Sequence, residues 1–547
     1  MPTYPKPDVY FEWYDSHPHI LTPRRTDIAG FVGIAARGPL HEAHKIASWT
    51  QYVSLYGEPT PQGYLGYAVR GFFANGGAEC WVVRVADPNM AQTAGIRIQD
   101  VATNRQWQLE AASPGSWAND LIVTMQRVNE DRFNLSLQLR DGTQEGWSLL
   151  SLNPADERYI ATVFEHGDSQ SFLVQMAEST PNYLMGTMSL DDEWHINAGA
   201  MRGGCDGLAT MGATHISGDG APINVRWGLR ALEVIDEVSI IAIPDIMPKP
   251  EYVPPRKKER DIPCSVIELP EDYVELLPPS PPEFAYPFSD DEIEALQQAM
   301  IRHCEQLKDR FAILDVRPND TVPQAVINWR LKYDTRYAAL YFPWLTVNCP
   351  VCDNDNFNVP PSGHAAGVYA NTDLTVGVHQ APANVDMEDV KDVVMVLDDT
   401  SHVLLREKRI NSIRAVPAGG IRLIDSFTLS SDSLWRYINV RRLITMIAEA
   451  IDEQTQWTVF EPNDLNLASE ITRIIRQFLG GLWERRMLSG ATSGDAFTVR
   501  CDETTTQPHD IDAGRLICEV GLLPPWPAEF VIVRIGRQEG RTELIEG

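Results

Sequence analysis

The sequence predicts a multidomain α/β protein, and three observations carry that prediction. The chain has 547 residues, of which 44% are hydrophobic and 22% charged, the balance of a folded globular chain with length for about three or four domains. Dense apolar runs alternate with helix-period stretches in residues 21–94 and again in 206–345. Between them the spacing switches to period two, as antiparallel strands require.

Val9 to Tyr14 is a short β-prone run inside an extended N-terminal arm, residues 1–20. Ile28 to Ala35 reads as a strand stopped by Arg37-Gly-Pro. Gly63 to Phe73 sets Leu65, Ala68, Val69, Phe72 and Phe73 along one helical face, and Cys80 to Val85 follows as a buried strand. Residues 95–205 predict a β-rich domain, with alternation in Gln106 to Leu109, Leu121 to Met125, Phe133 to Leu139 and Tyr159 to Phe164. Gly203 to Gly220 reads as a linker, because neither phosphate-cradling glycine spacing is present.

Residues 206–345 return to α/β: Leu229 to Val234 helical, Val238 to Ile243 a strand, Asp290 to Phe311 a helix, Ala312 to Val316 a strand. Asp290, Asp291, Glu292 and Glu294 complement the positive end of that helix and are not expected to be ligands. A surface excursion, residues 244–287, holds twelve of the 38 prolines and carries the basic run RKKER at 256–260. In the last third, Trp435 to Ile451 and Leu467 to Leu482 are amphipathic helices, the second interrupted at Gly480-Gly481. Strands are expected at Phe497 to Cys501, Leu516 to Val520 and Phe530 to Ile535, before a polar tail from Gly536 to Gly547.

The net charge of −29, from 46 basic and 75 acidic side chains, argues against a nucleic-acid partner or an anionic membrane surface. No apolar run reaches membrane-spanning length, and the start MPTYPKPDVYFEW lacks a secretory pattern, so synthesis in the cytoplasm without a signal peptide is expected. Residues 1–94 hold 7 basic and 8 acidic side chains, 95–345 hold 21 and 38, and 346–547 hold 18 and 29, of which 346–399 contribute 1 and 9.

Chemistry is sparse. No nucleophile elbow, zinc-binding H-E-x-x-H or kinase signature occurs. Cys349 and Cys352 form the only close cysteine pair, in a loop context that favours plain thiols over a redox or metal site. His17 and His19 flank a proline on the arm, and Asp353 and Asp355 lack the glycine and glutamate of a calcium loop. No catalytic, cofactor-binding or metal residue is nominated.

Read in order, the segments resemble the contractile tail sheath protein family, shared by contractile bacteriophage tails and phage-tail-like contractile injection systems. The resemblance is carried by PDVYFEW (7–13), TDIAGFVGIAARGP (26–39), NGGAECWVVRV (75–85), ASPGSWAND (112–120) and GLRALEVIDEVSIIAIPD (228–245). It continues in YAALYFPWLTV (337–347), PPSGHAAGVYANTDLTVGVHQAPAN (360–384), WRYINVRRLI (435–444), FEPND (460–464), AFTVRCD (496–502) and IDAGRLICEVGLLPPWPAEFVIVRI (511–535). Two departures are visible: Asp8 stands where the family usually has the Gly of P-G-V-Y, and WERRMLSGA (483–491) replaces a G-A-L-x-G turn.

The resemblance implies a structural subunit, with no enzyme activity and no cofactor. It implies a discontinuous inner α/β sheath domain from both termini, residues 21–94 with 346–520, and inserted outer domains, β-rich 95–205 and α/β 206–345. It implies stacked hexameric rings around an inner tube protein, with baseplate and terminal cap proteins at the ends. Arms from both termini, Val9, Tyr10, Phe11, Glu12 and Trp13 at one end and Phe530, Val531, Ile532, Val533, Arg534 and Ile535 within residues 521–547 at the other, would add strands to neighbouring subunits. Arg473 and Arg476, one turn apart, with Arg485 and Arg486, are the candidate tube contacts. An injection system is favoured over a bacteriophage tail, and an α/β hydrolase or a secreted adhesin is the competing class. With the inner domain so drawn, the excess acidity would lie mainly on the outward domains.

Overall fold

The computed structural model describes residues 20–546 except 102–104, 130–131, 140–141, 166–170, 177–184, 191–194, 248–282, 350–355, 417–419, 459–464, 503, 508, 510–514, 528–532 and 539–540. The arm residues Val9 to Trp13, His17, His19, RKKER, Cys352, Asp353 and Asp355 lie outside that set. The chain divides into two compact units, residues 25–442 and the stretch before Arg25 with 443–547.

Unit 25–442 is built on a nine-stranded sheet in the spatial order 385–386, 421–423, 411–415, 338–342, 311–315, 240–242, 29–33, 80–84, 43–46. From 411–415 to 80–84 the neighbours run parallel, and both edges are antiparallel additions. Strands Ala29–Gly33, Ile240–Ala242, Phe311–Asp315 and Ala338–Phe342 are buried at every residue. That is the reason they read as unbroken apolar runs: a parallel strand covered on both faces has no solvent side to alternate toward.

This topology corrects one expected boundary. Strands from residues 206–345 lie in the middle of the sheet, between 29–33 and 411–415, so that segment is not a separate inserted domain. The second expected inner part is divided as well, because residues 346–442 belong with the sheet and 443 onward with the other unit. On the observed division the shorter unit holds 11 basic and 20 acidic side chains (−9) and unit 25–442 holds 35 and 55 (−20). The shorter unit is therefore at least as acidic per residue as unit 25–442.

Helix Leu65–Ala74 is started by a carboxylate distant in sequence: Asp245 accepts from Tyr64 N at 2.5 Å and Leu65 N at 3.2 Å, and from Ile34 N at 2.6 Å. These are orphan amide groups that a buried helix start must satisfy. Against this helix packs Ser362–Thr375, in which Ser362 to Ala370 and Thr372 are all buried. A Cβ on Gly367 would lie 2.5 Å from Phe72 O and 2.8 Å from Asn75 Cβ, so glycine is required for the close approach. Helix Asp290–Leu307 opens with a capping box from Ser289 and Glu292, in line with its acidic first turn.

Residues 95–200 form two four-stranded sheets, ordered 186–190, 95–100, 105–111, 174–176 and 196–200, 122–127, 133–138, 144–150. Their inward residues, among them Ile96, Ile98, Leu109, Val123, Met125, Leu135 and Leu137, share a core of their own. Tyr159 to Phe164 is helical, not a strand: helix Ile160–Glu165 buries Ile160, Val163 and Phe164 at helical spacing. Where a helix is expected at Leu229 to Val234 there is a 3-10 turn, Gly228–Leu232.

Candidate functional site

The second unit contains the long helix Leu465–Glu484, which buries Ala468, Ile471, Ile474, Ile475, Phe478, Leu479 and Leu482 and leaves Arg473, Arg476 and Gln477 exposed. Gly480 and Gly481 do not interrupt it. Each costs about 1 kcal/mol in helix propensity, and the apolar stripe on both sides of them outweighs that. The helix ends where Arg486 takes a left-handed φ of 61° and Met487 N donates to Leu482 O at 2.9 Å, a geometry usually supplied by glycine. The departure WERRMLSGA thus keeps the turn with an arginine in the strained position.

The four arginines differ in their partners. Arg473 reaches Gln477 Oε1 at 3.4 Å on the exposed face, while Arg476 donates to Val499 O at 3.1 Å and is engaged with the strand Phe497–Arg500. Arg485 and Arg486 follow the helix and are exposed.

The root of the arm is fastened to helix Ile438–Gln454. Thr22 N donates to Gln454 Oε1 at 2.7 Å and Gln454 Nε2 donates to Thr22 O at 2.8 Å, so the amide imitates a strand partner. Arg24 pairs with Glu449 and Glu453, both at 3.0 Å. Sequence reading missed this clamp, because a polar residue on an exposed helix face carries no signal of its partner.

Two small ladders complete the unit. Phe497–Arg500 pairs antiparallel with Glu519–Leu522, from Phe497↔Leu522 to Arg500↔Glu519. Val533–Gln538 pairs antiparallel with Arg541–Glu546. The C-terminal strand therefore extends past Ile535, and the expected polar tail holds its hairpin partner. Phe530, Val531 and Ile532 lie outside the described residues, whereas Val533, Arg534 and Ile535 are in the hairpin.

The cysteine expectation also changes. Cys501 and Cys518 are disulfide-bonded, with Cα atoms 4.3 Å apart, and Cys349 is disulfide-bonded too. Cys80, Cys205 and Cys304 are free.

One grouping of catalytic residue types lies at the start of helix Ser362–Thr375. Asp315 Oδ1 accepts from Ser362 N at 2.9 Å, and burial pushes the Asp315 carboxyl up to about 7. His364, two positions on, has neither ring nitrogen paired among the described residues, and burial lowers it to about 4. All three residues are at most 2% exposed, so no substrate could reach them. They support packing. Among the described residues, no group of three or more His, Cys, Asp or Glu could hold a metal ion, and no helix is long and apolar enough to cross a membrane.

Comparison with known proteins bears on this arrangement directly. Residues 283–429 match the phage tail sheath protein central domain, and residues 430–536 match the phage tail sheath C-terminal domain. A Pseudomonas aeruginosa (strain UCBPP-PA14) protein named as a candidate prophage major tail sheath protein is 27% identical over 242 residues. That stretch is 43% of this chain and 60% of the relative, so the chain spans less than two thirds of that relative. The sheath of an extracellular contractile injection system, PVC, in its contracted state superposes with a TM-score of 0.55 at 19% identity, over 99% of this chain and 100% of that one. The contracted helical sheath of the anti-feeding prophage gives 0.56 at 20%, over 98% and 100%. At that identity the likeness is one of fold.

Proposed function

We propose that this chain, whose residues 283–536 match the phage tail sheath central and C-terminal domains, is the structural subunit of a contractile sheath and not an enzyme. In this reading it polymerises as stacked hexameric rings around an inner tube and contracts to drive the tube through a target envelope. A phage-tail-like injection system is favoured over a bacteriophage tail. Baseplate and terminal cap proteins, with the inner tube protein, are the other partners, and no nucleic acid or membrane insertion is involved. The particle assembles in the cytoplasm.

The observation that carries the proposal is the pair of short ladders at the C-terminal end, 497–500 with 519–522 and 533–538 with 541–546. A two-stranded sheet is marginal alone, and its outer edges offer main-chain groups for strand addition. Strand exchange that is repeated head to tail produces an open helix, the symmetry of a sheath. Contraction is then a rigid-body change between two discrete packings, with each arm swinging from a fixed root at Thr22 and Arg24. The shorter unit is assigned to the tube side.

Electron microscopy of the purified chain is expected to show rings or tubes, and deletion of residues 1–15 is expected to leave a folded subunit that cannot build an extended sheath. A wild-type chain that stays monomeric under assembly conditions, or normal extended sheaths from the truncation, would refute the reading. Tube contact is proposed for Arg473, Arg485 and Arg486; Arg476 has an internal role. Reversing Arg473 and Arg485 to Glu should lower co-sedimentation of sheath with tube about tenfold without altering sheath formation, and unchanged co-sedimentation would remove these residues from the tube face.

A further inference from the structure

We propose that Cys501 and Cys518 are a reversible redox site, closed by a small disulfide such as glutathione disulfide, that staples the strand pair 497–500/519–522. The inference rests on the reading of that pair as the sheet to which neighbouring subunits add strands.

The cysteines extend the ladder by one position. Arg500↔Glu519 is its last pair; Cys501 follows the first strand and Cys518 precedes the second, which places their Cα atoms 4.3 Å apart. The opposite end is tied by backbone bonds, Leu523 N to Ala496 O at 2.9 Å and Ser489 N to Leu523 O at 2.8 Å. The disulfide thus adds a covalent tie at the other end of the ladder. Between the cysteines, the described residues make contacts such as Ile517 N to Thr506 Oγ1 at 3.0 Å. With the bond open, the ladder end depends on non-covalent contacts.

Access to the two sulfurs differs. Cys501 is 8% exposed and Cys518 is half-buried, so Cys518 is the entry point. Its thiolate attacks glutathione disulfide, forming a mixed disulfide and releasing one glutathione. The Cys501 thiolate then attacks the Cys518 sulfur, the protein disulfide forms and the second glutathione leaves. The two protein thiols lose two electrons and two protons, and glutathione disulfide accepts them as two glutathione thiols. Reduction by excess glutathione reverses each step.

Closing a loop of this length restricts the open ensemble by roughly a hundredfold in chain-entropy terms. A strand added by a neighbour pulls along the ladder, and a stapled end cannot peel.

The test uses the full-length, unassembled chain in hydrogen exchange after incubation with glutathione disulfide or with reductant. Amides of 497–500 and 519–522 should be roughly a hundredfold better protected in the oxidised chain, and the oxidised C501S/C518S double variant should match the reduced wild type. Equal protection in both redox states, or thiols at both positions after oxidation, overturns the staple. Assembled oxidised sheaths should withstand more denaturant than double-variant sheaths, and equal resistance overturns the role under load. Exchange on the unassembled chain needs no sheath, so a failure to polymerise in either redox state would strike the function reading alone.

Discussion

Replacing Asp315 with Asn is expected to stabilise the protein by about 2–3 kcal/mol at pH 8, and the advantage should disappear by pH 4. The carboxyl sits in the central sheet, 2% exposed, and burial pushes it up to about 7 from an ordinary 3.8. A raised folded value means that the native state binds more protons than the unfolded chain between pH 3.8 and 7. Stability therefore falls as pH rises through that window, by about 4 kcal/mol for a shift of roughly three units. Asparagine keeps the acceptor for Ser362 N without the charge, at a cost of about 1–2 kcal/mol for its added N–H groups. Buried His364 works in the opposite sense. Lowered to about 4 from 6.5 by burial, with Asp389 raising it and Arg70 lowering it, it loses stability as pH falls from 6.5 to 4. The substitution should unmask that acid-side loss. Denaturant titrations of wild type and variant from pH 4 to pH 8 measure the difference, and a difference independent of pH would contradict the account.

Replacing Arg442 with Met should cost about 3–5 kcal/mol. Arg442 and Asp373 are each 4% exposed, with Nη2 to Oδ2 at 2.6 Å and Nη1 to Oδ1 at 3.2 Å. Arg442 Nη2 also donates to Thr26 O at 2.7 Å, and Thr26 Oγ1 donates to Asp373 Oδ2 at 2.7 Å. Even so paired, the Asp373 carboxyl lies above its usual range, because desolvation exceeds the attraction of Arg442 and the hydrogen bonds. Without the guanidinium, an uncompensated carboxylate remains in the interior. Asp373→Asn added to Arg442→Met should recover most of the loss. Simple addition of the two single effects would show that the pair is not coupled.

Four strands of the sheet were legible as dense apolar runs, at 28–35, 80–85, 238–243 and 312–316, whereas the equally buried Ala338–Phe342 was not read as one. Their sharing of one sheet was not legible, because pairing between 29–33 and 240–242 is a long-range fact with no local signal. Helix Ser362–Thr375 carries no polar stripe, since ten of its fourteen residues are buried, and periodicity has nothing to detect there. Tyr159 to Phe164 fits period two and helical spacing about equally over six residues, and tertiary contact decided for helix. At the candidate site, the exposed arginines followed from amphipathicity, whereas the diversion of Arg476 to Val499 O depends on where the strand folds back. The Cys501–Cys518 bond is set by strand register, invisible in cysteine spacing.

The strand order also dictates a timetable for synthesis. Strand Ala29–Gly33 acquires its partner Cys80–Arg84 early, yet its other neighbour, Ile240–Ala242, is about 200 residues downstream. At ribosomal speeds of roughly 5–20 residues per second, one apolar edge waits for about 10–40 s before it is covered. The strand Asn411–Ala415, which closes on Ala338–Phe342, emerges later still. Nascent chains would thus present unpaired edges side by side on neighbouring ribosomes, where strand addition between incomplete chains competes with folding. Rapid coverage by a chaperone, or slow initiation that keeps the ribosomes apart, is the expected cellular counterpart of a sheet in which an early strand waits so long for its second neighbour.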